Sequence, residues 1–209
     1  MNGILLIDKP QGWTSHDVVA KLRGLLGQRR IGHSGTLDPM ATGLLIVLLG
    51  RATRAAEFAE AQEKEYIAGL RLGLVTDTQD ITGRVLERHD ADVSPQELES
   101  VLNNFRGDLM QLPPMYSAIK IGGKKLYQLA RKGQEVERRP RPVRISRLEI
   151  AGEIEGGYSL LVQCSKGTYI RTLCHDIGQA LGCGGTMSSL RRTAIGSFRC
   201  EDACSVRSE

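Results

Sequence analysis

A chain of 209 residues with 41% hydrophobic content can bury a sizeable core as one large domain or two small ones, and at 4% aromatic residues that core must be aliphatic. The formal charge of +4 is unevenly divided: residues 120–147 hold ten basic side chains against Glu135 and Glu137, a net of +8 that leaves an acidic remainder. An acidic body with one concentrated basic segment points to a polyanion, of which nucleic acid is the commonest in a cytoplasmic protein.

The apolar run Ile4 to Ile7 is too short for a signal peptide, and no run approaches a membrane span, so a cytoplasmic location is expected. Gly3 to Asp8 reads as a strand and Lys9-Pro10-Gln11-Gly12 as a turn. Thr14 and Asp17 form a capping box for a helix that Gly27 closes. Next comes Arg30 to Gly50, where glycines surround His33 and Asp38 in a predicted loop. Behind it Leu44 to Leu49 reads as a strand buried on both faces. Taken alone, Asp38-Pro39 also reads as a helix cap followed by proline at the first helical position.

Ala52 to Ala61 is expected to be helical, and Glu65 to Leu74 alternates as a half-buried strand with Tyr66 at its start. Thr76 to Gly83 is a polar turn rich in Thr and Asp, and Arg84 to Arg88 a short strand. Ser94-Pro95-Gln96-Glu97 is a second capping box, followed by Leu98, Val101, Leu102 and Phe105 at helical spacing. After Pro113-Pro114, Met115 to Ile121 is predicted as a strand and Leu126 to Lys132 as a short helix. The run from Glu137 to Pro142 must be extended, because each proline pushes its predecessor out of the helical region. This basic segment reads as an arm packed loosely on the body. Val143 to Ala151 and Tyr158 to Lys166 pair across Gly156-Gly157. A helix over Ile170 to Leu181 is expected with Thr168 as its cap, then strands over Thr186 to Arg192 and Ile195 to Arg199, and a frayed end. The predicted class is α+β with a mixed, largely antiparallel sheet.

The five cysteines, Cys164, Cys174, Cys183, Cys200 and Cys204, are odd in number and contain no CxxC pair, which argues against a disulfide framework. Their spacing with His175 matches no standard zinc knuckle, so no metal is expected. There is no phosphate loop, dinucleotide-binding glycine motif, nucleophile elbow or zinc-protease motif, and no cofactor is expected. Asp38, His33, Tyr66 and Arg171 remain, each at the edge of a regular element, and suit chemistry by a single carboxylate.

The segments Leu6 to Gly12, Gly32 to Gly43, Lys64 to Tyr66, Pro113 to Lys120, Arg138 to Pro142, Lys166 to Leu173 and Leu190 to Arg192 resemble, in order, the bacterial TruB-type tRNA pseudouridine synthases. The resemblance implies the pseudouridine synthase fold and isomerisation of the uridine at position 55 of the tRNA T-loop. By that resemblance Asp38 is the catalytic aspartate, Tyr66 the tyrosine that stacks on the target base and is implicated in C5 deprotonation, and Arg171 the arginine paired with the aspartate. His33 matches the histidine that displaces or holds the flipped nucleotide, and Tyr169 and Leu190 line the uridine pocket. The basic insertion, about 113–142, would close over the T-arm, with Lys120, Lys124, Lys125, Arg131, Lys132, Arg138, Arg139 and Arg141 on the RNA backbone. The expected division is a catalytic domain over 1–199 and a tail over 200–209, without the family's usual C-terminal RNA-binding domain. A monomer is expected. A tRNA-binding chaperone without chemistry, and the same isomerisation on another RNA, are the alternatives.

Overall fold

The computed structural model describes residues 1–117, 119–130 and 132–206. In chain order it contains β1 (Gly3–Lys9), α1 (Ser15–Leu26), β2 (Ile31–Ser34), β3 (Thr42–Leu49), α2 (Ala56–Ala61), β4 (Lys64–Leu72), β5 (Leu74–Thr76), β6 (Val85–Arg88) and α3 (Pro95–Leu102). It continues with β7 (Gly107–Gln111), β8 (Lys120–Ile121), β9 (Lys124–Lys125), α4 (Leu126–Ala130), β10 (Arg141–Ile154), β11 (Gly157–Cys164), α5 (Ile170–Ala180), β12 (Gly185–Ile195), β13 (Phe198–Arg199) and β14 (Cys204–Ser205).

A 10-stranded sheet in the order β14-β1-β3-β12-β4-β11-β10-β7, with β2 on β3 and β13 on β12, organises the molecule. Only β1 with β14 and β3 with β12 run parallel; the other pairs are antiparallel. The α+β class with a largely antiparallel sheet is therefore borne out.

β3 shows why six consecutive aliphatics were needed. Leu45, Val47 and Leu49 pack with Val18, Val19 and Leu22 of α1, while Leu44, Ile46 and Leu48 pack on the opposite face with Ala59 and Ile195. The largest core lies where α3 and α5 cover β4, β11 and β12, joining Leu98, Leu102, Leu173 and Ile177 to Leu70, Leu160 and Met187. Both predicted capping boxes form, Thr14 with Asp17 and Ser94 with Glu97, and Gly27 closes α1 in the left-handed region.

Several expectations are corrected. His33 lies on β2, hydrogen-bonded to β3, and only the residues after Ser34 form a loop. Asp38-Pro39 starts a turn closed by the Ala41 N–H on the Asp38 carbonyl, not a helix. The strand expected over Met115 to Ile121 is reduced to Lys120–Ile121, and Ala118 lies outside the described residues. The N-cap of α5 is Tyr169, because the Thr168 hydroxyl is spent on the Ser165 carbonyl. The strands expected over Thr186 to Arg192 and Ile195 to Arg199 are instead β12, continuous through Ile195, and the short β13. The C-terminal stretch, expected to fray, pairs through β14 with β1.

The insertion is also less loosely packed than expected. Leu126 and Leu129 are buried, the Leu126 and Tyr127 N–H groups donate to the Ile119 and Ser117 carbonyls, and Arg138 donates to Pro113 O at 2.9 Å. Among the described residues no helix is long and apolar enough to cross a membrane.

Candidate active site

Asp38 is held in place from its backbone outward. On one side, Leu37 N–H donates to the buried Ser15 Oγ at 3.0 Å. On the other, Pro39 O accepts from Gly12 N–H at 2.8 Å and from Lys9 Nζ at 3.4 Å. Behind the loop, Arg192 donates to Gly35 O at 2.8 Å and to Leu44 O at 2.7 Å. A loop tied at several points to α1, β1 and β12 holds its one carboxylate with little freedom.

That carboxylate meets Arg171, whose Nε lies 2.9 Å from Asp38 Oδ2. The Arg171 side chain is 7% exposed and that of Asp38 39%, so the cation is fixed in the wall while the anion remains open to a ligand. The rest of the guanidinium is also used: Nη1 donates to Thr78 O at 3.3 Å and Nη2 to Tyr116 O at 2.8 Å. A second carboxylate, Asp80, stands 4.0 Å from Nη1 and is itself held by Thr78 and Thr82. Its turn is anchored to β12, where the Ile81 N–H donates to Met187 O and the Met187 N–H to Gln79 O.

Asp38, Arg171, Tyr66 and Tyr169 all line one cleft of about 770 Å³, large enough for a nucleoside and its flanking phosphates. Burial raises the pKa of the Tyr66 phenol, against the opposing pull of the neighbouring Arg192 guanidinium. Burial raises that of Tyr169 too, against the pull of the Arg171 guanidinium. Both rings therefore present neutral phenols at neutral pH. Lys9, fully buried, has its pKa pushed down to about 8 by loss of solvent and by Arg192, with Asp38 pulling the other way.

His33 and Leu190 are not among the residues lining this cleft. His33 Nε2 sits 3.4 Å from His16 Nδ1, and burial, with His16 and Arg192, lowers its pKa. Leu190 is buried in the same core cluster as Tyr66 and is the register partner of Ala68 on β4. Sequence reasoning missed Lys64, Asp80, Tyr116, Tyr127 and Arg192, which also line the cleft. The Thr- and Asp-rich turn and the Arg192 of the Leu190 to Arg192 motif were available signals. The contribution of the two insertion tyrosines depends on how the insertion folds back.

In the basic segment, Lys124, Lys132, Arg139 and Arg141 are exposed and have no ion pair among the described residues. Arg138 is instead spent on Pro113 O and on Glu135 at 3.3 Å, Arg144 on Asp108 and Arg147 on Glu149. Lys120 and Lys125 are register partners on the β8–β9 hairpin, and Arg131 lies outside the described residues.

The chain matches the TruB family pseudouridylate synthase N-terminal domain over residues 23–170 and the tRNA pseudouridylate synthase B C-terminal domain over residues 171–209. The two matches meet inside one folded unit, between Ile170 and Arg171 of α5. The tRNA pseudouridine synthase B of Opitutus terrae is 48% identical over 207 residues, covering 99% of this chain and 86% of the relative. That of Alkaliphilus oremlandii is 50% identical over 206 residues, covering 99% and 69%. Among solved structures, a chain of a Cbf5-Nop10-Gar1 complex superposes with a TM-score of 0.75 at 36% identity, over 98% of this chain and 52% of that one. A chain of an H/ACA RNP bound to a substrate RNA containing 2'-deoxyuridine gives 0.72 at 33% identity, over 97% and 50%. The chain thus spans about half the length of the solved chains it matches. With matches of this extent and an open carboxylate paired to a buried arginine at the cleft, the chain belongs to the TruB family of pseudouridylate synthases.

Proposed function

We propose that this chain isomerises the uridine at position 55 in the T-loop of tRNA, and that the Asp38–Arg171 pair is the centre of the chemistry. The observation that carries this reading is one partly open carboxylate, 2.9 Å from a buried guanidinium, in a cleft that Tyr66 and Tyr169 line together with Tyr116 and Tyr127. The reaction breaks the bond from uracil N1 to ribose C1′, turns the base, and forms a bond from C5 to C1′. N1 gains a proton and C5 loses one, so nothing is oxidised or reduced. A carboxylate can serve as nucleophile or as base in such a sequence. Arg171 balances its charge and fixes its direction.

A T-loop base must be unstacked to reach the cleft, at a cost of about a few kcal/mol. Stacking on an aromatic ring returns roughly 1–3 kcal/mol per base. Tyr66 and Tyr169 supply such rings, and the neutral Tyr66 phenol supports a platform role more directly than a role as base for the C5 proton. His33 is proposed to hold the displaced nucleotide. Lys124, Lys132, Arg139 and Arg141 of the insertion are proposed to grip the RNA backbone.

The test is incubation of the purified chain with unmodified tRNA transcript, followed by carbodiimide-dependent reverse-transcription stops. A stop at the T-loop uridine is expected from wild type. Asp38→Asn should bind the tRNA while losing more than about a thousandfold in rate. Bound tRNA with no stop from wild type would overturn the proposal in favour of a chaperone. A second reading, isomerisation of a different RNA, draws on the substrate RNA held by the H/ACA RNP relative. It predicts stops in other transcripts and none in tRNA.

A further inference from the structure

We propose that Gln111 is a positioning residue for the reaction, holding the Tyr169 ring in the cleft by clasping the Tyr169 backbone at both ends. Its Nε2 donates to Tyr169 O at 3.0 Å, and its Oε1 accepts from Tyr169 N–H at 2.8 Å. One side-chain amide thus engages both polar groups of a single residue: it is the acceptor for the Tyr169 N–H, and it shares the Tyr169 carbonyl with the Leu173 N–H of α5.

Tyr169 needs such a clasp. It is the N-cap of α5 with extended backbone, φ −98° and ψ 109°, and its side chain makes no cap hydrogen bond. The residue lines the cleft, and its N–H precedes the helix, so helix formation ties only its carbonyl, through the Leu173 N–H, and leaves the N–H side to Gln111. Gln111 is well placed to hold that side because it is itself immobilised. It is buried, ends β7, and is in register with Arg141 of β10. A glutamine buried at an edge strand would leave two polar atoms without partners if Tyr169 moved away, which sets a penalty on any other placement of that residue.

This inference rests on the proposed function only where activity is the readout, so the test has two arms. In the first, the full chain is labelled with 3-fluorotyrosine, and the Tyr169 resonance among the five tyrosines is assigned by its loss in Tyr169→Phe. Gln111→Met should shift or broaden that resonance and leave the other tyrosines in place. In the second, single-turnover pseudouridine formation on tRNA should fall about tenfold in Gln111→Met, with tRNA affinity within about twofold. Added to Tyr169→Ala, the same substitution should cost nothing further, because a residue acting through the ring has nothing left to act on.

A Tyr169 resonance unmoved by Gln111→Met, or losses that multiply in the double variant, would overturn the proposal. Should Gln111→Met fail to fold, Gln111→Glu keeps the acceptor for the Tyr169 N–H and loses the donor to its carbonyl. It is read in the same two ways with a smaller expected effect. Absence of product from wild type would strike the proposed function alone, and the fluorine spectrum would still decide the clasp.

Discussion

Lys9 shows how one buried charge supports the placement of another residue's carboxylate. Its ammonium is fully buried and donates to Pro10 O at 2.9 Å, Trp13 O at 2.6 Å and Pro39 O at 3.4 Å, so it ties the first turn of the chain to the backbone beside Asp38. Burial brings its pKa from 10.5 to about 8, which makes the charged form costly in the folded state. Between those two values the unfolded chain binds more protons than the folded one, so stability contributed at this site rises with pH across that window. The shift corresponds to roughly 3 kcal/mol once Lys9 is fully deprotonated. Other groups titrate in the same range, and Lys9→Met isolates this one. Urea unfolding from pH 7.5 to 10.5 should show the wild type gaining on Lys9→Met as pH rises. Parallel curves for the two proteins would mean that Lys9 titrates alike in both states.

At the scale of elements, the β3–β12 contact fixes the Asp38 loop to the sheet, and it depends on Gly43. At φ +102°, a Cβ there would stand 2.3 Å from Arg192 O. Gly43→Ala should therefore cost about 2–4 kcal/mol in urea unfolding, by combined backbone strain and overpacking. Thr14→Ala, which removes only the cap of α1, should cost about 1 kcal/mol. Equal losses would show that the strand contact yields more readily than its geometry implies. Elements whose signal is local were legible in the sequence: the two capping boxes, the all-aliphatic β3, and the β10–β11 hairpin. β7 was not, because five residues with alternating partial burial at a sheet edge carry almost no pattern of their own. The start of β10 was hidden by proline. Pro142 is accommodated because residues 141–143 pair with β7 alone; Ser165 bonds the chain from Arg144 and β11 joins at Ile145, so at Pro142 the other edge has no ladder to match. The pairing of β14 with β1 involves two residues on each strand and has no sequence signature. Within the site, Asp38 and Arg171 were legible through motif order. Asp80 and Tyr116 join the cleft only through the docking of the β5–β6 turn on β12 and the return of the insertion.

The whole molecule divides its charge in a way that composition overstates. Three of the arginines that make the insertion and its exit strand so basic are already committed: Arg138 to Pro113 O and Glu135, Arg144 to Asp108, and Arg147 to Glu149. An arginine paired to a carboxylate releases no counterion from RNA unless that pair is first broken, so these side chains should contribute little to the salt dependence of binding. Lys124, Lys132 and Arg139 are exposed and without ion pairs among the described residues, and should contribute fully. Replacing those three together by Gln should make the slope of log affinity against log salt shallower by about 2–3, with the single-turnover rate at saturation nearly unchanged. Replacing Arg144 and Arg147 by Gln should leave the slope within about half a unit, although it removes two formal charges where the first set removes three. Arg138→Gln belongs to neither class: it should loosen the insertion by releasing Pro113 O, weakening tRNA binding without a matching change in slope. If both sets of substitutions flatten the salt dependence alike, RNA is recruited by net charge, and the separation into free and committed cations has no bearing on binding.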